Sequence, residues 1–342
     1  MKALRVNAVV LFLAIAALGA GCGDEGGDDA PVADAPLPDA LADVGVTGDA
    51  PASFTWVDTA RLREVAGLGE TTDEAIEDER WRNAVGLAVG LESLGPPSDL
   101  GFDPMAGERT ITVGTPPDDA TRYDGLDPEA VESTFEEMGF EPVESDGNDF
   151  LALGDEGELV ESSVDELGVG PVGINRVLVE DDAFAFGAYE DAVVAALEPE
   201  EPLGDEPAFA AMSACLGDDV LAAAIRDPDE MAAAEVELSG VGILAPDAES
   251  VADVVCAVGS EGGSLDEVAA RMEKAFTEGG LDPFTRQPYE DFLGPAEIES
   301  GESDGAPWVR ATFETPEDAA HGTVFEADQK GALASPLGVA GP

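Results

Sequence analysis

The strongest constraint on this chain is its charge imbalance, with 75 Asp and Glu residues against 15 Lys and Arg residues and a formal net charge of −60. A phosphate backbone needs clustered cations, so nucleic acid is excluded as a partner class. The chain is nevertheless 44% hydrophobic, which is enough apolar material for a core. Its 342 residues correspond to roughly two domain-sized units, so an acidic globular protein is predicted.

The acidic residues are spread along the whole sequence instead of forming one block. Screening lengths fall to about 3 Å at 1 M salt, so such a surface is typical of a halophilic or salt-tolerant protein. The competing interpretation is a cation-binding surface, but Glu144–Asp149 carries the ingredients of a calcium loop in the wrong order. One histidine and three dispersed cysteines predict no cofactor and no metal site.

The N-terminus predicts export and a lipid anchor. Lys2 and Arg5 precede an apolar run from Ala8 to Ala20, which is too short to span a bilayer but suits a signal peptide over residues 1–21. Cys22 ends a lipobox-like sequence, so we expect it to be acylated (palmitate and diacylglycerol) and to hold a lipoprotein at the extracytoplasmic face of the cell membrane. The alternative is plain secretion, with cleavage near Gly19.

The segment after the anchor, residues 22–52, is rich in Ala, Pro, Gly and Asp and contains no cation. Such a composition indicates a disordered acidic tether. The folded body then divides into residues 53–200 and residues 201–342. Strand and helix patterns alternate in both, and the order strand, helix, strand, strand occurs in Thr121–Leu153 and again in Val251–Phe313. We therefore predict an α+β fold with antiparallel sheets, helices on one face and two related halves.

The two remaining cysteines predict a disulfide. Cys215 ends a predicted helix and Cys256 lies in a predicted strand, and thiols beyond a signal peptide are oxidised. A helix on a sheet can bring two such positions to the Cα separation of about 4.4–6.8 Å that a disulfide requires. The alternative is that both are small buried residues with free thiols.

Several loose motifs resemble uncharacterised lipoproteins of high-GC Gram-positive bacteria. The resemblance implies a lipid-anchored surface protein and supplies no catalytic residues. It rests on the signal peptide with Cys22, and on Gly101–Pro104, Gly114–Pro117, Tyr123–Pro128, Leu203–Phe209 and Asp253–Cys256.

Three segments qualify as candidate sites. Gly168–Gly173 matches a dinucleotide fingerprint as a string, but a strand is predicted after it where a helix is required, so it is interpreted as a turn. His321 is the only histidine and would have to serve any His-dependent catalysis, yet an ordinary surface role is expected. Asp282–Tyr289 joins a cation to two aromatics in a loop, and either recognises a ligand or pins the loop to the body.

No catalytic signature is present, so the prediction is a non-enzymatic binding or envelope-structural protein anchored in the membrane by Cys22, with an unidentified protein or small ligand as partner. The alternative is a carboxylate-dependent hydrolase acting on envelope glycans, which would need two carboxyl groups facing each other across a cleft.

Overall fold

A single twelve-stranded sheet forms the body of the protein. The computed structural model describes residues 37–46, 53–89, 102–155, 157, 174–227, 235–316 and 319–338. The sheet order is β11-β12-β10-β9-β8-β1-β2-β3-β7-β6-β5-β4, and every neighbouring pair is antiparallel. The strands are β1 Ser53–Asp58, β2 Arg109–Val113, β3 Ala120–Asp124, β4 Glu141–Ser145, β5 Asn148–Ala152, β6 Arg176–Val179, β7 Ala183–Gly187, β8 Val220–Arg226, β9 Leu238–Leu244, β10 Ala252–Val258, β11 Ala296–Ser303 and β12 Ala306–Glu314.

Helices cover both faces of this sheet, so the antiparallel α+β class is confirmed while the expectation of helices on one face is corrected. Alternate residues of β10 enter two separate cores. Val255 packs with the helix Asp266–Phe276, and Val254 packs with the helix Pro207–Leu216. The described helices are α1 Leu37–Ala42, α2 Thr59–Ala66, α3 Thr72–Ala75, α4 Arg82–Val89, α5 Pro128–Glu137, α6 Glu190–Leu197, α7 Pro207–Leu216, α8 Asp266–Phe276, α9 Glu290–Leu293, α10 Thr323–Gln329 and α11 Ala334–Leu337.

The central strands explain why helices pack on both faces of the sheet. Strands β8, β9 and β10 are apolar without the alternation of a half-exposed strand, and nearly all their residues are buried. A strand that is apolar on both sides requires helices above and below it. One face therefore carries α4, α8 and α10, and the opposite face carries α1, α6 and α7.

The sheet has the same strand arrangement on either side of the central β1–β8 pair. In the first half a meander β1-β2-β3 is followed by helix α5, and the last strand, β7, returns beside β3. In the second half a meander β8-β9-β10 is followed by helix α8, and the last strand, β12, returns beside β10. The predicted boundary after residue 200 falls between these two sets of strands, which together form one sheet.

Part of the predicted tether belongs to the folded body. Leu37 and Leu41 of α1, with Val44 just after it, are fully buried at a spacing of four and three residues. The Gly45 amide donates to the Ala195 carbonyl oxygen at 2.8 Å. The prediction of disorder was wrong for residues 37–46, because the averaged composition of the segment concealed this apolar stripe. Residues 1–36, including the signal peptide and Cys22, and residues 47–52 lie outside the described residues.

A network of four charged side chains attaches this segment to the sheet. Arg109 on β2 pairs with Asp124 on β3 and with Asp43 just after α1. Arg122 on β3 contacts Asp124 at 2.7 Å and donates to the Asp43 carbonyl oxygen at 2.9 Å. The side chains of Arg109, Arg122 and Asp124 are about nine-tenths buried. The opposite charges and the backbone acceptors therefore compensate one another within the fold.

The predicted disulfide is confirmed. Cys215, near the end of α7, is bonded to Cys256 of β10, with a Cα–Cα distance of 6.1 Å and a sequence separation of 41 residues. Both residues are fully buried. The bond fixes α7 to its face of the sheet.

Candidate binding cleft

A cleft of about 370 Å³ opens beside the end of α8; we call it the C-terminal cleft. Helix α8, with Val268, Met272 and Phe276 buried against the sheet, supplies one wall. The chain that follows α8 and the short helix α11 supply the others. The cleft is lined by Arg271, Lys274, Ala275, Glu278, Gly279, Gly280, Leu281, Tyr289, Ser335 and Pro336.

The cations of this cleft are only partly neutralised. Lys274 lies in the last turn of α8, where the helix dipole favours a positive charge, and it makes no ion pair with any described residue. Arg271 Nη2 lies 3.5 Å from Glu235 Oε2 and 3.5 Å from the Leu337 carbonyl oxygen. Its Nε–H is covered by protein and has no acceptor among the described residues. The lining therefore has two cations against one carboxylate, that of Glu278.

The Phe284 loop, residues 281–288, borders this cleft and is held rigidly by one buried carboxylate. Asp282 is 5% exposed, and its Oδ1 accepts from the Phe284 amide at 2.7 Å while its Oδ2 accepts from the Thr285 hydroxyl at 2.8 Å. A β-bridge between Leu281 and Pro288 closes the loop. Burial opposes ionisation of Asp282, but these hydrogen bonds outweigh it and lower its pKa.

The two aromatics of this segment have different roles. Tyr289 is 2% exposed, its hydroxyl donates to the Ala332 carbonyl oxygen at 2.5 Å, and its ring meets that of Phe276 edge to face at 5.2 Å. Phe284 is 67% exposed. Among the described residues, the other large hydrophobic side chains that are exposed are Leu281, at 44%, and Val143, at 40%. Tyr289 therefore pins the loop, whereas Phe284 is held out in solvent beside Leu281.

A second cleft, of about 630 Å³, lies at the ends of β1 and β8 and has the opposite charge; we call it the acidic cleft. Its walls carry five carboxylates and one cation, Arg61, which contacts Asp219 at 3.5 Å and donates to the Ala245 carbonyl oxygen at 2.9 Å. Asp58 caps α2 by accepting from the Arg61 amide at 2.9 Å. The lining residues are Trp56, Asp58, Arg61, Glu64, Val65, Asp218, Asp219, Val220, Pro246, Asp247 and Ala248.

His321 is a core residue, which corrects the expected surface role. It is 3% exposed, its ring centroid lies 4.4 Å from that of Trp81, and its Nδ1 is buried without a hydrogen-bond partner. Burial, assisted by the nearby charge of Arg80, lowers the pKa of His321 to about 4. The side chain is therefore neutral at pH 7 and packs as an aromatic ring.

Asp253 also has a structural role, and its carboxylate contacts the residue that follows His321. Its carboxylate accepts from the amides of Gly322 at 2.8 Å and Val324 at 3.2 Å, which positions the start of α10. Burial raises the pKa of Asp253 to about 6 even though these amides favour the charged form. The sequence around Asp253 predicts a strand and does not indicate this role.

Of the other sequence candidates, Gly168–Gly173 and Cys22 lie outside the described residues. Within the described ranges, no group of three His, Cys, Asp or Glu side chains is placed to hold a metal ion. In the same ranges no helix is long and apolar enough to cross a membrane. No protein-family model matches the chain, and neither curated protein sequences nor solved structures gave a significant match.

Proposed function

We propose that this chain is a lipid-anchored extracytoplasmic protein, held at the cell membrane by Cys22, that binds its ligand non-enzymatically at the C-terminal cleft and the Phe284 loop. The observation that carries the proposal is the rigid display of Phe284 in solvent beside Leu281 and a cationic cleft. Apolar side chains held out in water by a well-bonded loop are typical of recognition surfaces.

The compartment is supported by two independent features. The signal-like segment with Cys22 directs the chain out of the cytoplasm, and the Cys215–Cys256 disulfide suits an oxidising environment. The high acid content fits a salt-tolerant surface in that exposed location.

The alternative, a carboxylate-dependent hydrolase of envelope glycans, would use the acidic cleft. Its carboxylates are partly committed to local structure, since Asp58 caps α2 and Asp219 contacts Arg61. Hydrogen bonds from the backbone of Glu249 and from Ser250 lower the pKa of Asp247, whereas a general acid at neutral pH needs a raised pKa. These contacts favour binding over hydrolysis.

Site-specific photocrosslinking of the full-length protein in membranes tests the binding proposal. A benzophenone amino acid placed at Phe284 is compared with the same residue at Val143, a matched exposed hydrophobic on edge strand β4. We expect an adduct of defined mass from position 284 and none from position 143. Equal labelling at both positions, or none at 284, would contradict the proposal. Turnover of a glycan substrate that is lost on substituting one acidic-cleft carboxylate would support the hydrolase instead.

The anchor has its own test in the variant Cys22→Ala. Wild-type protein should partition into detergent and yield an N-terminal peptide whose mass includes acyl chains, whereas the variant should do neither. Identical partitioning and peptide mass for both proteins would refute lipidation and leave secretion as the route.

A further inference from the structure

We propose that the ligand of the C-terminal cleft is a small organic anion, a carboxylate on a short alkyl or aromatic body, with its charged group between Arg271 and Lys274. This inference rests on the proposed binding function and adds the chemical class of the ligand. It follows from the excess of cations over carboxylates in the lining, from the exposed apolar surface of Leu281 and from the size of the cleft.

The first step is the scarcity of free positive charge in this protein. Nine of the cationic side chains in the described residues make ion pairs with carboxylates. Four cations make none among the described residues, namely Arg63, Arg80, Lys274 and Arg286, although acidic residues outnumber basic ones five to one in the sequence. Arg63 donates to the Gly107 carbonyl oxygen at 2.7 Å, so its hydrogen bonds are used within the fold. Lys274 lines the cleft and Arg286 lies in the loop that borders it, so two of the four are close to one opening that can attract an anion.

The second step is the unmet hydrogen-bonding capacity of Arg271. Within the part of the chain that the structure describes, its Nε–H has no acceptor, and the contacts of its Nη2 are long, at 3.5 Å. Gly338, whose positive φ of 75° turns the chain after α11, packs directly against this guanidinium. The Arg271 side chain is 33% exposed and lines the cleft, so a carboxylate oxygen can add a stronger contact than those its Nη2 makes within the fold.

The third step is the rest of the lining, which distinguishes an organic anion from an inorganic one. Leu281, 44% exposed, offers apolar surface, and the volume of about 370 Å³ lies near the lower end of ligand pockets. Inorganic phosphate would leave this apolar surface in contact with water. A ligand with a short apolar body next to its anionic group would bury the surface.

The experiment compares three probes of equal chain length: octanoate, octylamine and octan-1-ol. Each is titrated calorimetrically into the soluble chain lacking residues 1–21 and into the variants Lys274→Gln, Leu281→Ser and Lys330→Gln. Lys330 is the matched control, because it is an exposed lysine directly after α10 that pairs with Glu326 at 2.6 Å and does not line the cleft.

We expect octanoate to bind at least tenfold more tightly than octylamine or octanol. Lys274→Gln should weaken octanoate about tenfold, Leu281→Ser should weaken all binding, and Lys330→Gln should change it less than twofold. Octanol or octylamine binding as tightly as octanoate, with the Leu281 dependence intact, would overturn the anionic class and leave the binding function standing. Equal losses in Lys274→Gln and Lys330→Gln would likewise overturn it. Octanoate binding that is indifferent to both Lys274 and Leu281 would count against the cleft itself.

Discussion

The two halves of the sheet attach a helix to the same face by different chemistry. In the first half, Asp43 after α1 is attached to β2 and β3 by the buried charges of Arg109, Arg122 and Asp124. In the second half, α7 is attached to β10 by the Cys215–Cys256 disulfide. Helix and strand occupy corresponding places, since α1 precedes β1 and α7 precedes β8. The ionic attachment requires two of the chain's few cations, and the covalent one requires none.

The two halves also differ in what their cations contact. In the first half, Arg109 and Arg122 are about nine-tenths buried and satisfied by protein groups. In the second half, Lys274 lines an open cleft and is unpaired among the described residues. Cations of the first kind should determine stability, and those of the second kind should determine binding.

The largest expected effect comes from breaking the ionic attachment with Arg109→Met, which keeps an unbranched side chain and removes the guanidinium group. Asp124 and Asp43 lose their shared partner, and the buried Asp124 keeps only Arg122, so the free energy of unfolding should fall by about 3 kcal/mol or more. Urea denaturation in 1 M NaCl measures it. The matched control Arg82→Met removes an exposed arginine that lies 3.8 Å from Glu79 and should change stability by less than about 0.5 kcal/mol. Equal effects of the two substitutions would contradict a structural role for the network.

Breaking the covalent attachment with the double variant Cys215→Ala/Cys256→Ala should lower the free energy of unfolding by a comparable amount. Without the disulfide, a loop of 41 residues is no longer closed in the unfolded chain. The chain-entropy model then predicts a loss of about 4 kcal/mol in the free energy of unfolding, and a smaller loss if the folded bond is strained. Unfolding the wild type with a strong reductant should reproduce the same loss. A wild type that is insensitive to reductant during unfolding would show that the bond is not formed.

A smaller effect should come from His321, a buried titratable side chain with no hydrogen-bond partner at Nδ1. Its pKa is about 4 in the folded protein against a usual 6.5, so the folded state disfavours protonation. The contribution of neutral His321 to the free energy of unfolding is complete above pH 6.5. This contribution, on the order of 2 kcal/mol, is lost as the pH falls towards 4. In His321→Gln this loss should be absent. Melting temperatures of both proteins between pH 7 and 4 measure it, and parallel curves would contradict the assigned burial.

Local patterns sufficed to predict much of this fold. The apolar runs Arg176–Val179 and Ala183–Phe186 around three acidic residues correctly predict the β6–β7 hairpin. Asp127 and Pro128 correctly predict the start of α5. The disulfide followed from the compartment and from the helix and strand assigned to its two cysteines. Each of these features depends on residues that are close in sequence, or on a pair with few alternatives.

The remaining features depend on contacts between distant segments. The continuous apolar run of β10 was sufficient to indicate burial on both faces, but it was interpreted only as a strand. The ion network joins Asp43 to Arg109, 66 residues away, and no local pattern distinguishes it in so acidic a chain. In the candidate site, the sequence singled out Phe284 and Tyr289, but Arg271 and Lys274 were missed because their helix reads as ordinary and amphipathic.

The most direct test measures octanoate affinity in about 0.1 M NaCl, where the Lys274 charge is less screened, and the free energy of unfolding in 1 M NaCl, on the same two variants, Lys274→Gln and Arg109→Met. The account predicts that Lys274→Gln loses about tenfold in affinity while its stability changes by less than about 0.5 kcal/mol. It predicts that Arg109→Met loses several kcal/mol of stability, on the order of 3 or more, while its folded fraction binds octanoate like the wild type. If Lys274→Gln destabilises the fold and keeps full affinity, the distinction between structural and binding cations is wrong.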